Sequence, residues 1–215
     1  MLSSAPARGR TPFATLLLRR LHDHGVAEFP AGACLYEHHE PAGRFFLVID
    51  GLVTIARIDG AGRETALDVR AAGDTFGDAA LSAAPVTGER ARALVRTKVR
   101  QWPAADVMAL LARDGEVALA AARMLVGRAA QWRERLGLFG KEMAPRRLAR
   151  TLLYLREKIG PVLPPLGDAT FGALAGIPAE SARRRLADFV RQGLIAATPA
   201  GVVVRSALAD WMRDS

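Results

Sequence analysis

The chain has 215 residues, half of them hydrophobic and 24% charged, which supports one large or two small cores and excludes a disordered polyampholyte. A net charge of +8 points to a polyanionic partner, nucleic acid or an anionic membrane surface, and the composition favours nucleic acid. A single cysteine, Cys34, leaves no disulfide framework or four-cysteine metal site within one chain and fits a reducing, cytoplasmic setting.

Near the N-terminus, Arg8 and Arg10 precede the apolar run Phe13 to Leu18. That run is too short for a signal peptide and ends in Arg19-Arg20. No stretch reaches the roughly 20 apolar residues of a membrane span, so no membrane partner is expected.

From Gly25 to Trp102 the pattern is β. Cys34 lies in the strand-like Ala33-Cys34-Leu35-Tyr36 and is expected to be a buried, apolar thiol. Phe45 to Ile49 is an apolar run closed by Asp50-Gly51, and Leu52 to Ile58 follows at once. Asp59-Gly60-Ala61-Gly62 reads as a hairpin turn, Thr65 to Val69 as a strand, and Ala72-Gly73-Asp74 as a second turn. Ala91, Ala93, Val95, Thr97 and Val99 then alternate with Arg92, Leu94, Arg96, Lys98 and Arg100, which puts one face inward and a basic stripe outward. Many short strands with regular glycine turns predict a sandwich or barrel.

After Pro103 the period becomes helical. Ala104 to Arg113 is one short helix, broken at Asp114-Gly115. Glu116 to Leu138 is a long helix with Val117, Ala120, Ala121, Met124, Leu125 and Trp132 in an apolar band. The β-domain can cover part of that band, and a twin helix from a second copy the rest. The third part holds a helix from Pro145 to about Ile159, a loop through Gly160-Pro161 and Pro164-Pro165, and a short helix Asp168 to Ala175 ended by Gly176. A further helix, Pro178 to Gln192, follows, then a hairpin Leu194 to Val204 and a last helix Ala207 to Met212. Two short helices around a glycine-containing turn, followed by a hairpin, are the signature of a winged helix-turn-helix.

On the Pro178–Gln192 helix, Ala182, Leu186, Phe189 and Val190 are expected in the core. Glu180, Ser181, Arg183, Arg184 and Arg185 are the candidate DNA-contacting residues. An arginine fork can bond guanine O6 and N7, a glutamate can accept from cytosine N4, and the N-terminal end of such a helix reaches base edges most easily. Between Ala144 and Gly193 there are nine Lys and Arg against four Asp and Glu, a local net of +5.

The segment Gly176-Ile177-Pro178-Ala179-Glu180-Ser181-Ala182-Arg183-Arg184-Arg185-Leu186, running on to Gly193-Leu194-Ile195, resembles the recognition segment of the CRP/FNR regulators. The first half is similar too, through Phe29-Pro30-Ala31-Gly32, Glu40-Pro41, Arg44 to Val48 with Asp50-Gly51, and Gly73-Asp74-Thr75-Phe76-Gly77-Asp78. The likeness spans about residues 25 to 212. It implies an α+β chain: an N-terminal antiparallel β-roll of the cupin-like jelly-roll kind (1–113), a dimerisation helix (114–140) and a C-terminal winged helix-turn-helix (141–215). It implies a homodimer on two half-sites of double-stranded DNA, contact with RNA polymerase, and a pocket for a small-molecule effector. Glu180 and Arg184 take base-reading positions in this likeness. Ala179 stands where the cyclic-AMP branch has a base-reading arginine, and Arg185 where relatives are apolar, so the DNA site differs from those of the founding members.

The family's nucleotide cassette runs from a Gly-Glu pair to an Arg-Ser or Arg-Thr pair. Here Gly77-Asp78, with Ala79, match the first pair with a shorter acid, and counting back from Pro103 puts Thr87 and Gly88 at the second. Without a fixed guanidinium a buried phosphate lacks its charge-assisted partner, so cyclic AMP is not the expected effector. Arg90 and Arg92 fall in phase with the outward stripe. No cofactor is expected. Two other classes remain: a metal-dependent cupin-like enzyme, and a small-molecule binding module with a degenerate DNA domain. His38-His39-Glu40 invites the enzyme comparison, but adjacent histidines on a strand face opposite ways, and Arg44 stands where a cupin glutamate would. A loop-exposed pair and a non-enzymatic chain are therefore expected.

Overall fold

The computed structural model describes residues 10–22, 24–62, 64–82, 88–138 and 143–214. Among them the chain forms two compact units that meet in sequence between Phe139 and Gly140.

The first unit opens with helix α1 (Pro12–Arg20). The Thr11 hydroxyl accepts from the Ala14 amide at 3.2 Å, and Pro12 sits in the first turn, where its missing donor costs nothing. Phe13, Ala14 and Leu17 are fully buried, so the short apolar run is an amphipathic helix packed on the β-domain.

Eight strands follow: β1 (Val26–Phe29), β2 (Cys34–Tyr36), β3 (Arg44–Asp50), β4 (Leu52–Ile58), β5 (Glu64–Ala71), β6 (Thr75–Phe76), β7 (Arg90–Ala93) and β8 (Thr97–Pro103). They make two four-stranded sheets, ordered β1-β8-β3-β6 and β2-β7-β4-β5. The interior between them holds Phe46, Val48, Val53, Ile55, Phe76, Ala91 and Val99. The other face of β3 presents Phe45 and Leu47 to α1 and to helices α2 (Ala104–Arg113) and α3 (Gly115–Leu138). Both faces of β3 are thus covered, which is why it reads as an unbroken apolar run rather than an alternation.

The alternating stretch 91–99 is not one strand. It bends at Leu94-Val95-Arg96 and divides between the sheets, β7 pairing with β2 and β4, β8 with β1 and β3. The in–out period carries through the bend, so nothing in the pattern marks it. The thiol expectation is also corrected. Cys34 is exposed on β2, where the ladder shifts register between Cys34 and Tyr36. Its Sγ donates to the Tyr36 carbonyl at 3.1 Å, and desolvation pushes the thiol up to about 11. His38 and His39 lie in the turn after β2, their rings 4.6 Å apart.

Along α3, Val117 and Ala121 are buried, and Ala120 and Met124 pack partly against them. Leu119, Leu125 and Val126 are 52%, 39% and 67% exposed.

The second unit comprises α4 (Ala144–Ile159), β9 (Val162–Leu163), α5 (Asp168–Ala175), α6 (Ala179–Arg191), β10 (Ile195–Thr198), β11 (Gly201–Val204) and α7 (Ala207–Asp214). Leu148, Leu152 and Leu155 of α4, Phe171 of α5, Ala182 and Phe189 of α6, and Leu208 of α7 are buried. Trp211 of α7 meets Phe189 edge-on at 5.3 Å. The loop read through Gly160–Pro165 contains β9, which pairs with β11 through Val162↔Val203 and Leu163↔Val202 and makes the wing three-stranded. Two residues between prolines carry no period, so the strand leaves no sequence signal.

Candidate DNA-reading face and sensor interior

The helix-turn-helix is closed by a tight approach. A Cβ on Gly172 of α5 would lie 2.8 Å from the Ile177 carbonyl oxygen and 3.2 Å from the Ala179 Cα, so only glycine lets the turn fold back there. The Ile177 amide donates to the Gly172 carbonyl at 2.9 Å, and α6 begins two residues later.

On α6 the core face is narrower than expected. Ala182 and Phe189 are buried, Leu186 is half-buried, and Val190 is 43% exposed. At about 100° per residue, Val190 lies roughly 80° round from Ala182, at the margin of the stripe. Glu180, Arg183, Arg184 and Arg185 are exposed, and Ser181 is half-buried. Their pairing differs. Arg183 Nη2 donates to both oxygens of Glu180, at 3.0 and 2.8 Å. Arg185 Nη1 donates to Asp188 at 3.2 Å, and Arg191 also bonds Asp188. Arg184 makes no ion pair among the described residues, so its five donors face outward. The sequence had not shown that Arg183 is tied to Glu180, although the i,i+3 spacing permits it.

In the first unit, the candidate pocket residues Gly77, Asp78 and Ala79 stand at the junction of β6 and a short 3-10 turn (Asp78–Leu81). Gly77 has φ +88°, and a Cβ there would lie 2.8 Å from the Arg44 carbonyl oxygen, so the residue before Asp78 must be glycine. Gly88 is exposed, and Thr87 lies outside the described residues. Asp78 accepts from Nη1 of Arg128 on α3. Nη2 of the same guanidinium donates to the Thr75 carbonyl and, at 3.0 Å, to the Thr75 hydroxyl. That hydroxyl in turn donates to Met124 Sδ at 3.1 Å.

Further ionisable groups belong to this interior. On β5, Asp68 and Arg70 are buried and ion-paired at 2.9 Å. Burial, then repulsion from Asp78, raises the carboxyl of Glu89 above its ordinary range. Burial, then repulsion from Glu89 and Asp78, does the same to the Tyr36 hydroxyl. Arg90 is not part of an outward stripe. Its side chain is 22% exposed and its Nε donates to Glu37 at 2.7 Å.

The sequence reading missed Asp68, Arg70 and Arg128. Each left a signal. Asp68 and Arg70 are opposite charges two apart among Leu67, Val69 and Ala71 of β5, hence on one face. Arg128 continues the helical series Val117, Ala121, Met124 that faces the barrel, as the one cation in it.

Among the described residues, no three His, Cys, Asp or Glu side chains converge to hold a metal, and no helix is long and apolar enough to cross a membrane.

A β-roll carrying a long helix, joined to a winged helix-turn-helix with an exposed basic face, defines a DNA-binding regulator with a sensor domain. Residues 26–114 match the cyclic nucleotide-binding domain. The chain is 27% identical over 183 residues, 78% of each chain, to the CRP-like cAMP-activated global transcriptional regulator of Mycobacterium tuberculosis. It is 28% identical over 180 residues, 83% of each chain, to the cyclic AMP receptor protein of Thermus thermophilus. Its fold is similar to that of FixK2 from Bradyrhizobium japonicum, with a TM-score of 0.78 at 23% identity over 88% of this chain and 97% of the other. Together these likenesses support a DNA-binding transcription regulator of the CRP/FNR type.

Proposed function

We propose that this regulator acts as a cytoplasmic homodimer that reads two DNA half-sites with α6, and that its sensor is not driven by cyclic AMP. The observation that carries the DNA reading is the unpaired Arg184 guanidinium beside the Glu180–Arg183 pair, on the exposed N-terminal half of α6. Arg184 has the donors for a guanine edge, and Glu180, oriented by Arg183, has an acceptor for cytosine. Ser181 and Arg185 flank them and suit phosphate contacts, which fix position rather than sequence. The dimer reading rests on a second apolar face of α3, Leu119 and Val126 seven residues apart and opposite the buried Val117 and Ala121, which the β-domain leaves open and a second copy of the helix would cover. The chain acts by binding, not catalysis, and RNA polymerase is its downstream partner.

Two of the relatives are cyclic-AMP proteins by name, but the pairing of charges among the described residues of the interior supports a different effector or none. Asp78 is engaged by Arg128, Arg70 by Asp68 and Arg90 by Glu37, and Glu89 adds a further carboxyl. An entering anion meets no cation of that group that is not already neutralised, and burying a charge without a partner is costly.

The test is selection of genomic DNA fragments by the purified protein, with light scattering on the same preparation. The expected result is a two-fold symmetric consensus bound by a dimer. A monomer, or fragments without a shared site, would overturn the proposal.

A further inference from the structure

Arg128 lies on the barrel-facing side of α3, and its side chain is only 12% exposed. It reaches three acceptors at once: the Asp78 carboxylate, the Thr75 carbonyl and the Thr75 hydroxyl. Thr75 is fully buried, and its hydroxyl is also held by Met124, one helical turn before Arg128. Two successive turns of the long helix are therefore pinned to a single segment, Thr75–Asp78, whose backbone is locked by Gly77. Packing alone would let a smooth helix slide. A planar fork with several fixed acceptors admits one register.

The charges around the pair argue for permanence. Asp78 is balanced by Arg128 and Asp68 by Arg70, leaving Glu89 as the surplus group, an acid. Releasing Arg128 would leave Asp78, Asp68 and Glu89 beside one remaining arginine.

We propose that Arg128 is a built-in latch: its fork fixes the register of the long helix on the sensor by fastening two of its turns to Thr75–Asp78. Arg128 is a positioning residue, acting through the helix it holds.

Hydrogen exchange on the full-length protein tests the latch directly. Asp78→Ala and Arg128→Ala should each speed amide exchange in 75–81 and 121–131 by about tenfold or more, because local opening then no longer breaks the pair. The double variant should be no faster than the faster single, the mark of two groups acting as one. Arg128→Lys, which keeps the charge and loses the fork, should fall between wild type and Arg128→Ala. Should the alanine variants not fold, Asp78→Asn and Arg128→Lys make the same cycle. Millimolar cyclic AMP or cyclic GMP should leave wild-type exchange in both segments within about twofold. Unchanged singles, multiplying effects in the double, or protection of 75–81 by either nucleotide would overturn the latch.

Discussion

Replacing Arg184 by alanine isolates the base-reading role of α6. Its neighbours are each tied to an acid on the same helix, Arg183 to Glu180 and Arg185 to Asp188, whereas Arg184 has no ion pair among the described residues. Docking it on a base edge therefore breaks no intramolecular pair, and removing it frees no buried partner. Arg184→Ala should then lose the contact and little else. A bidentate arginine–guanine contact is worth roughly 1–3 kcal/mol, or roughly 5- to 150-fold in affinity, and a symmetric dimer loses it in each half-site. Arg183→Ala is the comparison: it removes an exposed pair worth only about 0.3–0.5 kcal/mol but also releases Glu180, so its effect should fall at the base read by Glu180 and not at the guanine. The assay is fluorescence anisotropy with the selected site and with variants at each position, at several salt concentrations, since phosphate contacts set the salt slope. The expected result is a large loss confined to sites with the preferred base, with an unchanged slope. Uniform weakening across all sequences with a slope reduced by about 1 would show a phosphate contact, and would refute the argument that Arg184 reads a base.

Asp68→Ala should destabilise the protein by about 3–5 kcal/mol by leaving Arg70 charged and buried, and Asp68→Ala with Arg70→Met should recover much of that in urea titrations; equal losses in both would refute the pair. Glu89 has a raised carboxyl, so between the ordinary and the raised value the folded chain keeps a proton that the unfolded chain has lost. Stability therefore falls as pH rises through that window, and Glu89→Gln should be more stable than wild type at pH 7 but not at pH 4, by denaturant midpoint. Leu119→Lys with Val126→Lys should yield monomers by light scattering, because two charges cannot be buried in a helix–helix seam.

What the sequence determined by itself is everything that repeats with a period or breaks one. The apolar run of β3, the glycine turns, the break at Asp114 before α3, and the helix–glycine–helix–hairpin order from Asp168 to Val204 are all local, because the faces a segment must bury impose their period on it. Tertiary structure decided which charges meet. The division of the 91–99 run between two sheets, the exposure of Cys34, and the pairings of Asp68 with Arg70 and Asp78 with Arg128 depend on distances across the fold. Asp78 and Arg128 are 50 residues apart in sequence. An arginine on an apolar helix face looks like an interruption until the opposite wall supplies a carboxylate. Burial then makes the pair strong and its rupture costly, and neither property belongs to the residues before the chain has folded.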